Sequence, residues 1–293
     1  MQITTIGIDL AKNVFQVHGA NEHGKPVLRK QLKRDQFTRI ESTLANGVLH
    51  LVFATEDGLN TMDDPWFEAF EMHLRNATED KAVRVVLLSA RGKVFCAGAH
   101  LQGMQTSALL QGFAESPLER FTNRLAAFPK PLLAAVHGKA IGGGATLLLH
   151  CDLVVAASDT QFRLPFTSLA AGPELGSSFL LPQAGGSRLA SELLLLGNAF
   201  DAHKAMRAGF LTEIVEPGKE LLLAQQWAAQ LAALAPSSVQ GTKRLLRQAQ
   251  QAGLSAAIDR EGTALAQALT SAEVGEALEA FVQKRRPDFS AFQ

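Results

Sequence analysis

Three short apolar runs constrain what this chain can fold into: RVVLLSA at residues 84–90, PLLAAVHG at 131–138 and CDLVVAAS at 151–158. None alternates with polar residues, so each reads as a buried strand. Between and before them lie segments with helical spacing. Asp64-Pro65 opens PWFEAFEMHLRNATED, with Pro65 suited to a first helical turn. SPLERFTNRLAAF, at 116–128, stops before Pro129. GVLHLVFA adds a strand entered through the turn dipeptide Asn46-Gly47. Strands that alternate with helices run parallel, because parallel neighbours need a long crossover. The class is therefore α/β. After about Gly185 the pattern turns almost wholly helical, with apolar stripes in GSRLASELLLLG, DAHKAMRAG and ELLLAQQWAAQLAAL. So apolar a tail must bury one face on its own body or on a neighbouring subunit.

Composition excludes several classes of function. The 293 residues suffice for one large domain or two small ones, with a core that stands without disulfides. Lys+Arg and Asp+Glu number 28 each, so no basic field points to nucleic acid. The two cysteines, Cys96 and Cys151, sit in apolar surroundings without metal-ligand spacing and read as small buried residues. No metal site is expected. No apolar run is long enough to span a membrane, and MQITTIGIDLAKN lacks the basic-then-apolar order of a signal. The expected location is the cytoplasm, with no membrane partner.

A seam divides the chain near Asp35. Before it, TTIGIDLAKNVFQVHGANEHGKPVLRKQL reads as a strand, a return strand and a turn at NEHGK, followed by a basic patch at 29–35. This segment resembles the N-terminus of insertion-sequence transposases with a RuvC-like, DEDD-type nuclease domain. The resemblance covers about 35 residues and implies a metal-binding acid at Asp9. A two-metal site needs several carboxylates, and the chain continues with no pattern to supply them. Residues 1–36 therefore read as an appended extension.

Two loops follow buried strands, where ligands bind in parallel sheets. They are RGKVFCAGAHL at 91–101 and HGKAIGGGATLLL at 137–149. Glycine lets backbone approach a ligand closely, and the first amides of a helix lack partners within it. Two such amides, one from each loop, suit an oxygen that gains negative charge. The triple glycine suits a phosphate as well, although it lacks the Lys-Ser/Thr ending of a Walker loop. Close helix–strand packing explains the glycines equally well from spacing alone.

GKVFCAGAHL, together with KPLLAAVHGKAIGGGATLLLHCDLVVAASDTQFRLP, KAMRAGFLTEIV and EALEAFVQKRRPDFS, resembles the crotonase superfamily of enoyl-CoA hydratases and isomerases. The likeness runs from about residue 40 to the C-terminus. It implies a spiral of β-β-α turns over residues 37–230 and a helical trimerisation region over 231–293. It implies an acyl-CoA thioester substrate, so that coenzyme A enters with the substrate and no cofactor is permanently bound. It also implies a homotrimer or hexamer. The oxyanion hole maps onto the amides of Ala99 and Gly143. Substrate contacts map onto Lys93, Ala97, Leu101, Gly142 and Lys284.

The hydratases of this family use two glutamates, whose places are taken here by Thr146 and Phe166. Threonine is a poor base near neutral pH and phenylalanine is none. Moving a double bond from the 3 to the 2 position needs only one base. LPFTSLAAGPELGSS, at 164–178, is similar to Δ3,Δ2-enoyl-CoA isomerases, whose glutamate maps onto Glu174. Its apolar neighbours Leu175, Phe179 and Leu180 would raise the carboxyl pKa and strengthen the base. Pro173-Glu174 also suits a plain helix N-terminus. His100 stands where the family commonly has Asp and reads as exposed or as standing behind the site. His137 and His150 read as core or interface residues. The resulting expectation is an enoyl-CoA isomerase; a hydratase or other lyase, and a non-catalytic CoA-binding scaffold, are the rival readings.

Overall fold

A computed structural model describes residues 39–99 and 116–292, together with the backbone of three strands nearer the N-terminus. The chain divides into two compact units, Met1–Arg39 and Ile40–Gln293. In the first, β1 (Thr5–Leu10), β2 (Val14–Ala20) and β3 (Pro26–Lys33) form an antiparallel meander. Asp9 belongs to β1, but its side chain lies outside the described residues, as do Leu101 and His100.

The second unit is built on a six-stranded sheet. Its strands are β4 (Ile40–Ala45), β5 (Val48–Phe53), β6 (Val85–Ala90), β7 (Leu132–Val136), β9 (Leu153–Ala157) and β12 (Glu213–Val215), in the spatial order β12-β9-β7-β6-β5-β4. The hairpin β4–β5 is antiparallel and every other pairing is parallel. Asn46 and Gly47 make its tight turn with φ of 50° and 81°, a geometry that this dipeptide tolerates. A smaller sheet joins β8 (Lys139–Ile141), β10 (Gln161–Arg163) and β11 (Phe200–Asp201), in the order β11-β10-β8.

The continuous apolar runs follow from burial on both faces. Val86, Leu88, Leu132, Ala134 and Val136 point into the main core with Trp66, Phe67 and Phe70 of α1 (Asp64–Glu79) and Phe121 of α2 (Pro117–Ala126). Val85, Leu87, Leu133, Ala135 and Val155 point the other way. They meet Ala224, Ala228 and Ala232, one row of small residues on α7 (Glu220–Ala233). Asp63 and Ser116 cap α1 and α2 by accepting from the amides of Trp66 and Glu119.

GGATLLLHC is only partly an α-helix. The α-helical turns of α3 (Gly143–Thr146) tighten into a 3₁₀ helix over Leu147–His150. Next come α4 (Ser177–Gly185), α5 (Ser187–Leu196) and α6 (Ala202–Arg207). After α7, the tail continues as α8 (Pro236–Gln248), α9 (Gln251–Leu269) and α10 (Ala272–Val282). Helix α9 packs on α2 and α4, so part of the tail's apolar surface is covered by its own body. No helix among the described residues is long and apolar enough to cross a membrane.

Candidate active site

The two glycine-bearing loops lie side by side because their backbones are laced together. Ile141 donates to the carbonyl of Cys96 at 3.0 Å, and Cys96 donates to that of Lys139 at 3.1 Å. Gly98 has φ of 89°, and a Cβ there would lie 2.7 Å from the Ile141 carbonyl oxygen. The first loop is also tied to the segment before α1. Ala97 donates to Leu59 and Met62 donates to Gly98, both at 2.9 Å. The amides of Ala99 and Gly143 donate to no protein acceptor among the described residues, and both residues line one cavity of about 750 Å³.

Each of the three glycines has its own reason. Gly142 caps α3 with φ of 52° and ψ of −123°, a backbone that a side chain strains. A Cβ on Gly143 would meet Glu174 Oε1 at 2.9 Å and Met62 Sδ at 3.0 Å. A Cβ on Gly144 would meet Cys96 Cβ at 2.6 Å. Close packing and a ligand-facing amide are thus both present, at different glycines of the run.

Glu174 reaches this place from 31 residues further along the chain, on the loop before α4. It is 9% exposed. Its carboxyl is pushed up to about 7, first by burial and then by the negative charge of Glu261. It is the one carboxylate among the described residues lining the cavity. Thr146 is fully buried, its hydroxyl bonded back to the Gly142 carbonyl at 3.3 Å, and Phe166 contributes an apolar wall. Burial raises the Cys96 thiol to about 12, so it stays protonated.

The cavity brings together Ala97, Ala99, Gly142, Gly143 and Glu174. It does not bring in Lys93 or Lys284, which are both exposed and outside its lining. Arg285 and Arg286 stand at the lining in place of Lys284, with Leu278 and Phe281 of α10. Arg285 is held by Glu276 through two hydrogen bonds, and Lys284 itself turns through a left-handed conformation with φ of 54°. His137 is bonded to the Gly92 carbonyl at 3.0 Å. His150 is buried and donates from Nε2 to the Leu175 carbonyl at 2.6 Å. Met62, Glu261 and the arginines escaped sequence reasoning. A run of two arginines after a helix was the one available signal.

Two amides without a protein acceptor among the described residues, one buried carboxyl and an apolar wall make up a cavity whose chemistry suits a carbonyl oxygen and a proton beside it. Comparison with known proteins gives the family. The family model described as enoyl-CoA hydratase/isomerase matches residues 43–291. The 2,3-dehydroadipyl-CoA hydratase of Escherichia coli (strain K12) is 32% identical over 242 residues, covering 83% of this chain and 94% of its own. The 1,2-epoxyphenylacetyl-CoA isomerase of the same strain is 33% identical over 257 residues, covering 86% and 98%. The crystal structure of an enoyl-CoA hydratase/isomerase from Pseudoalteromonas atlantica T6c matches with a TM-score of 0.82 and 36% identity, over 86% of this chain and 100% of that one.

Proposed function

The chain belongs to the enoyl-CoA hydratase/isomerase family, and within it we propose an isomerase that moves a double bond from the 3 to the 2 position of an acyl-CoA. The observation that carries this reading is the single carboxylate among the described residues lining the cavity. Adding water across a double bond calls for one group to activate water and another to deliver a proton. Glu174 is available for one task, and the two positions onto which the hydratase glutamates map hold Thr146 and Phe166.

In the proposed mechanism the thioester oxygen accepts from the amides of Ala99 and Gly143. Glu174, ionised, removes a proton from the carbon next to the carbonyl. The electrons flow into the carbonyl, and the oxygen gains the charge that the two amides are placed to receive. Protonated Glu174 then returns the proton to the far end of the dienolate, and the double bond shifts by one position. A carboxyl near 7 is matched to both halves of this transfer near neutral pH. Ala97 and Gly142 border the thioester, and Arg285 and Arg286 offer positive charge for the phosphates of coenzyme A. We also propose a homotrimer or hexamer. Leu245 and Leu246 of α8, 69% and 74% exposed, support it by leaving apolar surface for a neighbour.

The test is product identity. Given a 3-enoyl-CoA, the enzyme yields the trans-2-enoyl-CoA. Formation of a 3-hydroxyacyl-CoA from a 2-enoyl-CoA at comparable rate would instead favour a hydratase, and CoA binding with turnover of neither would favour a scaffold.

A further inference from the structure

The backbone just after Glu174 needs support from outside. Leu175 and Gly176 have φ of 56° and 71°, so a bulky buried side chain stands in the left-handed region. Two residues from distant elements fasten this turn. His150 donates to the Leu175 carbonyl at 2.6 Å. Glu261 of α9 accepts from the Gly176 amide at 2.6 Å through Oε2 and from the Ser178 amide at 2.7 Å through Oε1.

Glu261 is a costly way to cap a helix. A serine or aspartate at the N-cap of α4 would do so locally, yet that position is Gly176, and the acid comes from 85 residues away. It is 7% exposed and stands close enough to Glu174 to raise its affinity for a proton. Both carboxylates border a second cavity of only about 20 Å³, so bulk water does not screen one from the other.

We infer that Glu261 is a positioning residue for Glu174: its carboxylate holds the turn that aims Glu174 into the cavity, and its negative charge keeps Glu174 a stronger base. The inference rests on the reading of Glu174 as the base. The other titratable groups facing the pair leave that coupling in place. Cys96 stays a neutral thiol, and burial holds His150 near 4, so it is neutral as well. Glu119 of α2 is a further acidic side chain bordering the small cavity. Burial pushes the Glu261 carboxyl up, and its hydrogen bonds to Ser178 and Gly176, with Arg260, work against that rise and favour the ionised form.

The test compares the full chain with its Glu261→Gln, Glu261→Asp and Glu174→Gln variants. Rates on trans-3-hexenoyl-CoA are measured across pH, and the Glu174 carboxyl is titrated by carbon-13 NMR. In Glu261→Gln, the acid limb of the rate profile and the carboxyl titration both move down by about one pH unit. There kcat falls by about 10²-fold while KM changes little, the signature of a misaimed base. Glu261→Asp keeps the charge and shortens the reach, so the limb returns to its wild-type position while kcat recovers only in part. A wild-type limb and titration in Glu261→Gln would overturn the proposal. Should that variant fail to fold, Glu261→Asp decides: a lowered kcat with an unmoved limb supports the proposal, and a wild-type kcat overturns it. Full activity in Glu174→Gln would sink the base assignment instead, an outcome read separately from the carboxyl titration.

Discussion

Replacing Gly143 by alanine separates stability from chemistry. The new Cβ would lie 2.9 Å from Glu174 Oε1 and 3.0 Å from Met62 Sδ. An ordinary contact is about 3.5 Å, so the carboxylate must retreat by roughly half an ångström. Both obstacles are ends of flexible side chains, and Gly143 is not among the glycines with positive φ. Alanine in place of a helical glycine gains about 1 kcal/mol. Pushing two side chains off their rotamers costs about as much, so folding stability should stay within about 1 kcal/mol of wild type. The rate should not. A misplacement of about 1 Å can cost about 10²-fold, so half of that costs about tenfold, or ~1.4 kcal/mol in the barrier. The assay pairs steady-state isomerisation with thermal melting. A folded Gly143→Ala protein with wild-type kcat would refute the placement of the reacting atoms between Gly143 and Glu174. Gly144→Ala is the control. Its Cβ would strike the Cys96 carbonyl oxygen at 2.8 Å as well as Cys96 Cβ, and backbone does not yield, so it should lose about 2 kcal/mol of stability.

Further predictions concern pH and charge. With Glu174 as the proposed base, active only when ionised, kcat/KM should rise about tenfold per pH unit up to about 7 and then level; a limb near 4.5 would contradict its burial. The folded value of Glu174, about 7, lies above its ordinary 4.5, so its contribution to stability is complete below 4.5 and is lost as pH rises through 7, a change on the order of 3 kcal/mol. His150 runs the other way: its folded value of about 4 lies below 6.5, so its contribution is present above 6.5 and is lost as pH falls through 4. Glu174→Gln leaves the histidine unopposed, and urea melts between pH 4.5 and 6.5 should show stability climbing with pH more steeply than in wild type; equal slopes would refute the pairing. Asp152 bonds Lys243 at 2.7 Å and Arg247 at 3.0 Å. Asp152→Ala strands the buried Lys243 beside a second cation and should cost about 3 kcal/mol in denaturant melts.

Much of the sheet was legible because strands covered on both faces need apolar residues throughout, as in Val85–Ala90. The turn at Asn46-Gly47 was legible because few dipeptides accept two positive φ values. The short strands β8, β10, β11 and β12 were not, since two or three residues carry no period. The strand β4 was missed too. Its residues are mostly exposed, so burial imposes little pattern on them. At the site, the glycine loops were legible as two glycine-bearing runs after buried strands, and the isomerase expectation turned on Thr146 and Phe166. The adjacency of Glu174 to Gly143 is made by a turn in left-handed conformation, which no local pattern in PELGSS encodes. Glu261 and His150 act on backbone atoms of that turn, and a backbone partner leaves no trace in residue identity. Lys93 and Lys284 came from the family resemblance, and at the C-terminal end of this chain's own cavity the lining residues are Arg285 and Arg286, which follow the left-handed Lys284.

The proposed isomerisation depends most directly on Glu174 as the one base. The deciding measurement is the rate of conversion of a 3-enoyl-CoA to the trans-2-enoyl-CoA by Glu174→Gln, with circular dichroism to verify that the variant is folded. A folded variant slowed by about 10³-fold or more is the predicted result. A folded variant at the wild-type rate would contradict it.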